Sequence, residues 1–202
     1  MNLYRSTNWY KHLITLILIA FMGFFSCSRT GQEKVLIRTS LGDIEVEVYS
    51  GLAPVTAGNF LSLVDAGTYT NSIFYRVVRM DNQIQNKVKI EVIQGGLFDD
   101  ELIESHPSIE HETTTETGIK HKGGVISMAR MEPGTASTEF FICLGDQPSL
   151  DAGGDRNPDG AGFAAFGKVI RGMEVVRAIQ ALPDEGQYLV DPVIIHEISR
   201  SK

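Results

Sequence analysis

The chain has 202 residues, 43% of them hydrophobic, with 18 Lys plus Arg against 25 Asp plus Glu and a net charge of −7. That length holds one domain with a sizeable core, and that hydrophobic share fits neither a disordered chain nor a multi-span membrane protein. Setting aside the two bases of the first 26 residues, Arg5 and Lys11, takes the balance to −9, and a body so acidic repels phosphate backbones and disfavours a nucleic-acid partner.

Residues 1–26 read as a signal peptide. Arg5, Lys11 and His12 precede an uncharged apolar stretch of 13 residues, Leu13 to Phe25, which suits a signal-peptide core and is short for a membrane span. The stretch runs into Phe25-Ser26-Cys27. A small residue directly before a cysteine is the pattern of a bacterial lipoprotein signal, where the thiol is acylated and becomes the new N-terminus. Phe24 stands where that pattern prefers an aliphatic residue, and a plain secretory signal with Cys27 incidental is the other reading. Residues 27–34 then form a polar tether, and the expected location is the periplasmic side of a bacterial envelope, anchored through a lipid on Cys27. The second cysteine, Cys143, lies in an apolar run and reads as a buried, inert thiol.

From Val35 the pattern is strand-like: Ile44, Val46 and Val48 alternate with Glu45, Glu47 and Tyr49 after a turn at Leu41-Gly42-Asp43. Pro54 to Ala66 reads as a helix, opened by proline and stopped at Gly67. Ile73–Val78 and Lys87–Ile93 read as strands, and Leu97 to Lys122 as a long polar excursion of the functional kind. Val125–Arg130, Phe140–Leu144 and Ala164–Ile170 are further strands, Met173–Leu182 a second helix with Met173, Val176 and Ile179 inward, and Val193–Ile198 a last strand. About eight strands and two helices, without βαβ alternation, predict a mainly β fold: a closed antiparallel barrel capped by two helices.

Eight ordered blocks carry more. Leu41-Gly42-Asp43-Ile44, Ala53-Pro54 with Asn59-Phe60-Leu61, Phe74-Tyr75-Arg76-Val77-Val78, Gln94-Gly95-Gly96, Ser127-Met128-Ala129-Arg130, Phe140-Phe141-Ile142, Leu150-Asp151, and Phe166-Gly167-Lys168-Val169 with Gly172-Met173 resemble cyclophilin-type peptidyl-prolyl cis-trans isomerases in order and distance. The resemblance spans residues 35 to about 182. It implies an eight-stranded barrel with a groove on its outer face that takes proline-containing unfolded or extended polypeptides and speeds rotation about Xaa-Pro bonds. It also implies roles: Arg76 catalytic; Phe74, Met128, Phe141 and Leu150 around the proline ring, with Phe163 at the pocket edge; Gln94 and the Ala129-Arg130 main chain on the substrate backbone. Rotation breaks no covalent bond, so the reading requires no nucleophile, metal or cofactor, and it takes the domain as a monomer that assists folding of exported proteins. A peptide-binding module with vestigial turnover and a structural lipoprotein are the competing classes.

Several positions depart from the family pattern. Tyr75 replaces a frequent histidine, Glu139 a glutamine, and Ser149 a tryptophan. The link from Arg79 to Lys89 is lengthened, and Glu91-Val92-Ile93 stand where an aromatic residue and a methionine are usual. Asp151 to Gly162 is an insertion whose Asp155-Arg156-Asn157-Pro158-Asp159-Gly160 fits the opening of a calcium loop but lacks its closing glutamate, since Phe166 stands there. His106, His111 and His121 read as solvated loop residues.

Overall fold

The computed structural model of the protein describes residues 31–201, so the signal peptide assigned to residues 1–26 and the lipidation site Cys27 lie outside the described residues. The strands are β1 (Glu33–Thr39), β2 (Gly42–Val48), β3 (Ser72–Val78), β4 (Val92–Gly96), β5 (Val125–Met128), β6 (Phe140–Cys143), β7 (Ala164–Arg171), β8 (Asp184–Glu185) and β9 (Tyr188–Ser201). The helices are α1 (Pro54–Asp65), α2 (Asp100–Glu104), α3 (Thr114–Thr117) and α4 (Met173–Gln180). Strands pair in the order β1-β2-β7-β5-β6-β4-β3-β9, and β9 pairs back onto β1, from Lys34 opposite Ser201 to Thr39 opposite Ile195. This closes an eight-stranded antiparallel barrel and leaves no free edge among those strands. The short β8 hangs on β9 as the first arm of a hairpin.

Alternation explains which side chains fill the barrel. In β1 and β2, Val35, Ile37, Ile44, Val46 and Val48 are fully buried while the residues between them face out. At the centre the rings of Phe60, Tyr69, Phe74, Phe140 and Phe166 meet, mostly edge to face: Phe140 lies 5.7 Å from Phe60 and from Phe74 and 5.5 Å from Tyr69. Burying each such side chain contributes about 1.5–3 kcal/mol. Helix α1 delivers Phe60, Leu61 and Val64 to this core. Ala53 offers no capping oxygen, and the carboxylate of Glu112, far along the chain, accepts from the N–H groups of Val55 and Thr56 at 3.1 and 2.7 Å instead. Helix α4 buries Val175, Val176 and Ile179, with Met173 packed at the rim.

The structure corrects the sequence reading in three places. The strand expected over Lys87–Ile93 begins only at Val92, because the side chain of Gln83 binds both the N–H and the C=O of Ile90 and replaces a ladder there. The excursion from Leu97 to Lys122 contains the short helices α2 and α3, the latter closed by a capping box between Thr113 and Glu116. The last strand starts at Tyr188, not Val193.

Candidate active site

A groove of about 660 Å³ runs over the outer face of β3, β4, β5 and β6. Its floor is a second apolar cluster, separate from the barrel interior, made of Val78, Ile90, Val92, Phe141, Cys143 and Leu150 with Ala129 and Phe163 against it. Phe141 is held in place on two sides: Phe163 meets it edge-on at 5.3 Å, and the ring of His121 stacks on it at 6.0 Å. Phe163 is in turn covered by the Arg130 guanidinium, 5.2 Å from the ring centre.

Arg76 stands beside this floor on β3. Its Nη1 donates to Gln94 Oε1 at 2.8 Å, while Nε and Nη2 donate to Gln187 Oε1 at 3.1 and 2.6 Å. A guanidinium has five N–H groups, so one on each Nη is left to offer to a ligand. Both acceptors are neutral amides, and the charge on Arg76 is therefore not cancelled locally. Gln94 is itself fixed, its Nε2 donating to Tyr75 Oη at 2.6 Å. Gln187 occupies the tight turn between β8 and β9, where it and Gly186 have φ of 80° and 59°. Two consecutive left-handed residues are the type I′ hairpin geometry, which normally wants glycine in the place Gln187 takes.

The far wall carries a carboxyl. Glu139 accepts from Leu97 N–H at 2.6 Å, and its Oε2 is buried with no hydrogen-bond partner. Burial raises its pKa above the ordinary carboxylate value, and burial first, then the Glu139 charge, push the neighbouring Tyr75 phenol far up. Gln94-Gly95-Gly96 makes room here: a Cβ on Gly96, at φ 149°, would fall on the Glu139 carboxyl, and one on Gly95 would strike Phe74. Tyr75 is roofed by Phe98, stacked at 4.2 Å, and Tyr188 lies 5.8 Å beyond Phe98.

Of the residues singled out in the sequence, Arg76, Gln94, Ala129, Phe141 and Phe163 line the groove, and Leu150 lies under it in the same cluster. Phe74 and Met128 do not. Both are fully buried inside the barrel: Met128 faces the opposite way from its neighbour Ala129, and on β3 a register shift between Phe74 and Arg76 turns Arg76 outward although the two are only two residues apart. His121 is likewise no solvated loop residue. It is buried, with Nδ1 2.8 Å from Asp151 Oδ1 and Nε2 3.1 Å from the Ser127 hydroxyl, and burial lowers its pKa. In the inserted loop the Asp159 carboxylate is taken by Arg130, at 2.9 and 3.0 Å, and by Ala161 N–H. Among the described residues no three His, Cys, Asp or Glu side chains come together as a metal-binding group. Cys143 is buried, which pushes its thiol pKa up. Phe98 and Arg156 line the groove and Gln187 anchors Arg76 from outside it, and sequence reasoning missed all three. The signal available for Gln187 was Glu185-Gly186-Gln187 between two polar and apolar runs, a hairpin turn.

Residues 34–200 match the family model described as cyclophilin type peptidyl-prolyl cis-trans isomerase/CLD. A peptidyl-prolyl cis-trans isomerase of Acinetobacter baylyi is 35% identical over 159 residues, covering 78% of this chain and 77% of that one. Peptidyl-prolyl cis-trans isomerase A of Dickeya dadantii is 35% identical over 173 residues, covering 84% and 82%. The crystal structure of a Cryptosporidium parvum cyclophilin-type isomerase superposes with a TM-score of 0.67 at 25% identity, over 85% of this chain and 98% of that one. A second crystal structure of that protein, determined in the presence of the dipeptide Ala-Pro, gives 0.66 at 26% identity, over 84% and 99%. The chain belongs to the cyclophilin-type peptidyl-prolyl cis-trans isomerases.

Proposed function

We propose that the groove turns over Xaa-Pro bonds with Arg76 as the catalytic group, and that the enzyme serves the folding of exported proteins while held at a bacterial envelope by a lipid on Cys27. The observation that carries the catalytic part is the guanidinium held over an apolar floor by two neutral glutamines, with N–H groups to spare. The Xaa-Pro bond resists rotation by roughly 18–20 kcal/mol because of resonance, and turns over in tens to hundreds of seconds unaided. Twisting breaks the conjugation, and the prolyl nitrogen gains a lone pair that accepts a hydrogen bond. A donor fixed beforehand in a partly dry groove stabilises that state more than either planar one. Phe141, Phe163 and Val92 hold the proline ring, Gln94 steadies both Arg76 and the peptide, and the Ala129-Arg130 main chain pairs with an extended substrate. The Ala-Pro dipeptide used with the parasite relative is the minimal ligand of this kind.

Arg76→Ala is expected to lower kcat/KM roughly a hundredfold, the scale for losing one preorganised donor; full activity in a folded variant, followed by exchange NMR on a proline peptide, would remove Arg76 from the mechanism. The envelope part rests on the sequence pattern Ser26-Cys27 and on β1 beginning at Glu33, only a short polar tether later. No helix among the described residues is long and apolar enough to cross a membrane, and in this reading the anchor is the lipid. Cys27→Ser should abolish labelling by a radioactive fatty acid and either shift the protein to the soluble fraction or leave it as an uncleaved precursor. An unlabelled wild-type protein would leave a plain secreted isomerase.

A further inference from the structure

The groove carries three arginines, and they are not equivalent. Arg130 is neutralised by the Asp159 carboxylate. Arg76 has only glutamine carbonyls as partners. Arg156 comes from the inserted loop between Asp151 and Gly162 and reaches across to the lengthened link, where its Nη1 donates to Gln83 Oε1 at 3.1 Å and to the Val88 carbonyl at 2.6 Å. Among the described residues no carboxylate pairs with Arg76 or Arg156 within 4.0 Å. Arg156 lines the groove with Asn157, Ile90 and Val92, at the rim of the apolar floor.

Two guanidiniums that share one groove without a counter-ion repel each other, and partial burial sharpens that repulsion. Burial and the Arg76 charge both lower the Arg156 pKa, which is the same statement in terms of proton affinity. An anion placed beside Arg156 relieves both costs at once. Two other carboxyls line the groove, Glu139, which is committed to the turn at Leu97, and Asp100 on α2, and neither pairs with Arg156. The Arg156 hydrogen bonds also fix the side chain on neutral backbone and amide oxygens, so a ligand would meet a preorganised guanidinium and not a freely swinging one.

We propose that Arg156 forms an anion-selecting subsite at the end of the groove, which favours substrates carrying a carboxylate side chain, Asp or Glu, on a residue flanking the proline. This deepens the isomerase reading and rests on it for the direction of the bound peptide only. A Glu or Asp at that flank reaches Arg156 while the proline ring occupies the Phe141–Phe163 pocket. A half-exposed pair of this kind selects by roughly three- to tenfold, and weakens as added salt screens it.

The test uses short peptides with Glu, Gln or Lys immediately before or after a single proline. Exchange NMR gives kcat/KM relative to the uncatalysed rate, and chemical-shift titration of the same peptides gives Kd. For the wild-type protein at low salt, the Glu peptide should exceed the Gln peptide by roughly three- to tenfold in one of the two positions, with Lys below both, and the gap should close in 1 M salt. Arg156→Gln should bring the Glu-to-Gln ratio to about one, and Arg156→Lys should keep most of it, because charge and not fork geometry sets this preference. Equal handling of Glu and Gln by the wild-type protein in both positions overturns the subsite, as does a preference that survives Arg156→Gln. Titration reads the preference even if turnover is absent, so failure of the isomerase reading and failure of the subsite give different results. Should Arg156→Gln unfold, the Lys variant and the salt dependence of the wild type decide the matter.

Discussion

Gln187 should govern the rate without governing binding. Two of the three hydrogen bonds that fix Arg76 end on its Oε1, at 3.1 and 2.6 Å, yet it stands behind the guanidinium and not along the groove. An arginine side chain carries about 2 kcal/mol of rotamer entropy. Removing two of three anchors returns most of it, about 1.4 kcal/mol, which corresponds to a tenfold loss in rate. The turn makes a clean substitution available. Gln187 sits at φ 80°, a conformation that costs a non-glycine residue roughly 1–2 kcal/mol. Gln187→Gly relieves that strain, offset by roughly 0.4–1 kcal/mol of extra freedom in the unfolded chain. Stability should therefore hold within about 1 kcal/mol while kcat falls roughly tenfold and KM stays near its original value. Denaturant melts and progress curves at several substrate concentrations read the two effects separately. A kcat within a factor of two of wild type, or a loss confined to KM, would refute the positioning role of Gln187.

Two further expectations concern pH. Burial raises the Glu139 pKa above its ordinary 4.5, so the folded state holds that proton more tightly than the unfolded one and loses stability as pH rises through the carboxylate range. Glu139→Gln should raise the melting temperature at pH 7, with the gain shrinking as the pH is taken below 4.5; a loss at pH 7 would contradict this. For His121 the sign is opposite. Burial lowers its pKa from 6.5, so below about pH 6.5 the unfolded chain takes up a proton that the folded ring resists. Urea midpoints should therefore fall on acidification from pH 7 to 5. His121→Asn should flatten that fall although it is less stable throughout, and an unchanged slope would show that other groups are responsible.

The barrel was legible where one face of a strand meets water. β1 and β2 alternate cleanly, and the helix from Pro54 declares itself by its proline, its spacing and Gly67. β5 and β6 gave no such clue, because every residue of Val125–Met128 and Phe140–Cys143 is buried. One face fills the barrel and the other floors the groove, so Phe140 and Phe141 look alike in sequence although one is core and its neighbour is site. The same ambiguity put Phe74 and Met128 in the groove. Arg76 and Gln94 were found only through their motifs. Gln187 escaped because its function depends on a two-residue turn bringing it 111 positions back to Arg76, and His121 because its partners, Ser127 and Asp151, come from two different elements. Arg156 escaped for a related reason: the pattern Asp155 to Gly160 pointed to an ion, while the fold turns that loop towards the groove.

Gln83 has a bearing on how such a domain can be altered. Its side chain is 1% exposed, and its amide is used in full: Nε2 donates to the carbonyls of Arg79 and Ile90, and Oε1 accepts from Ile90 N–H and Arg156. An amide has two donor and two acceptor sites, so nothing is spare. The lengthened link and the inserted loop are therefore one module with a single keystone, although some 70 residues of chain separate them. Transplanting either loop alone into a shorter relative would leave a buried amide or a guanidinium without its partner. Moving both together carries the whole assembly, including the charge it presents to the groove, which makes the pair the natural unit for engineering or for exchange between homologues.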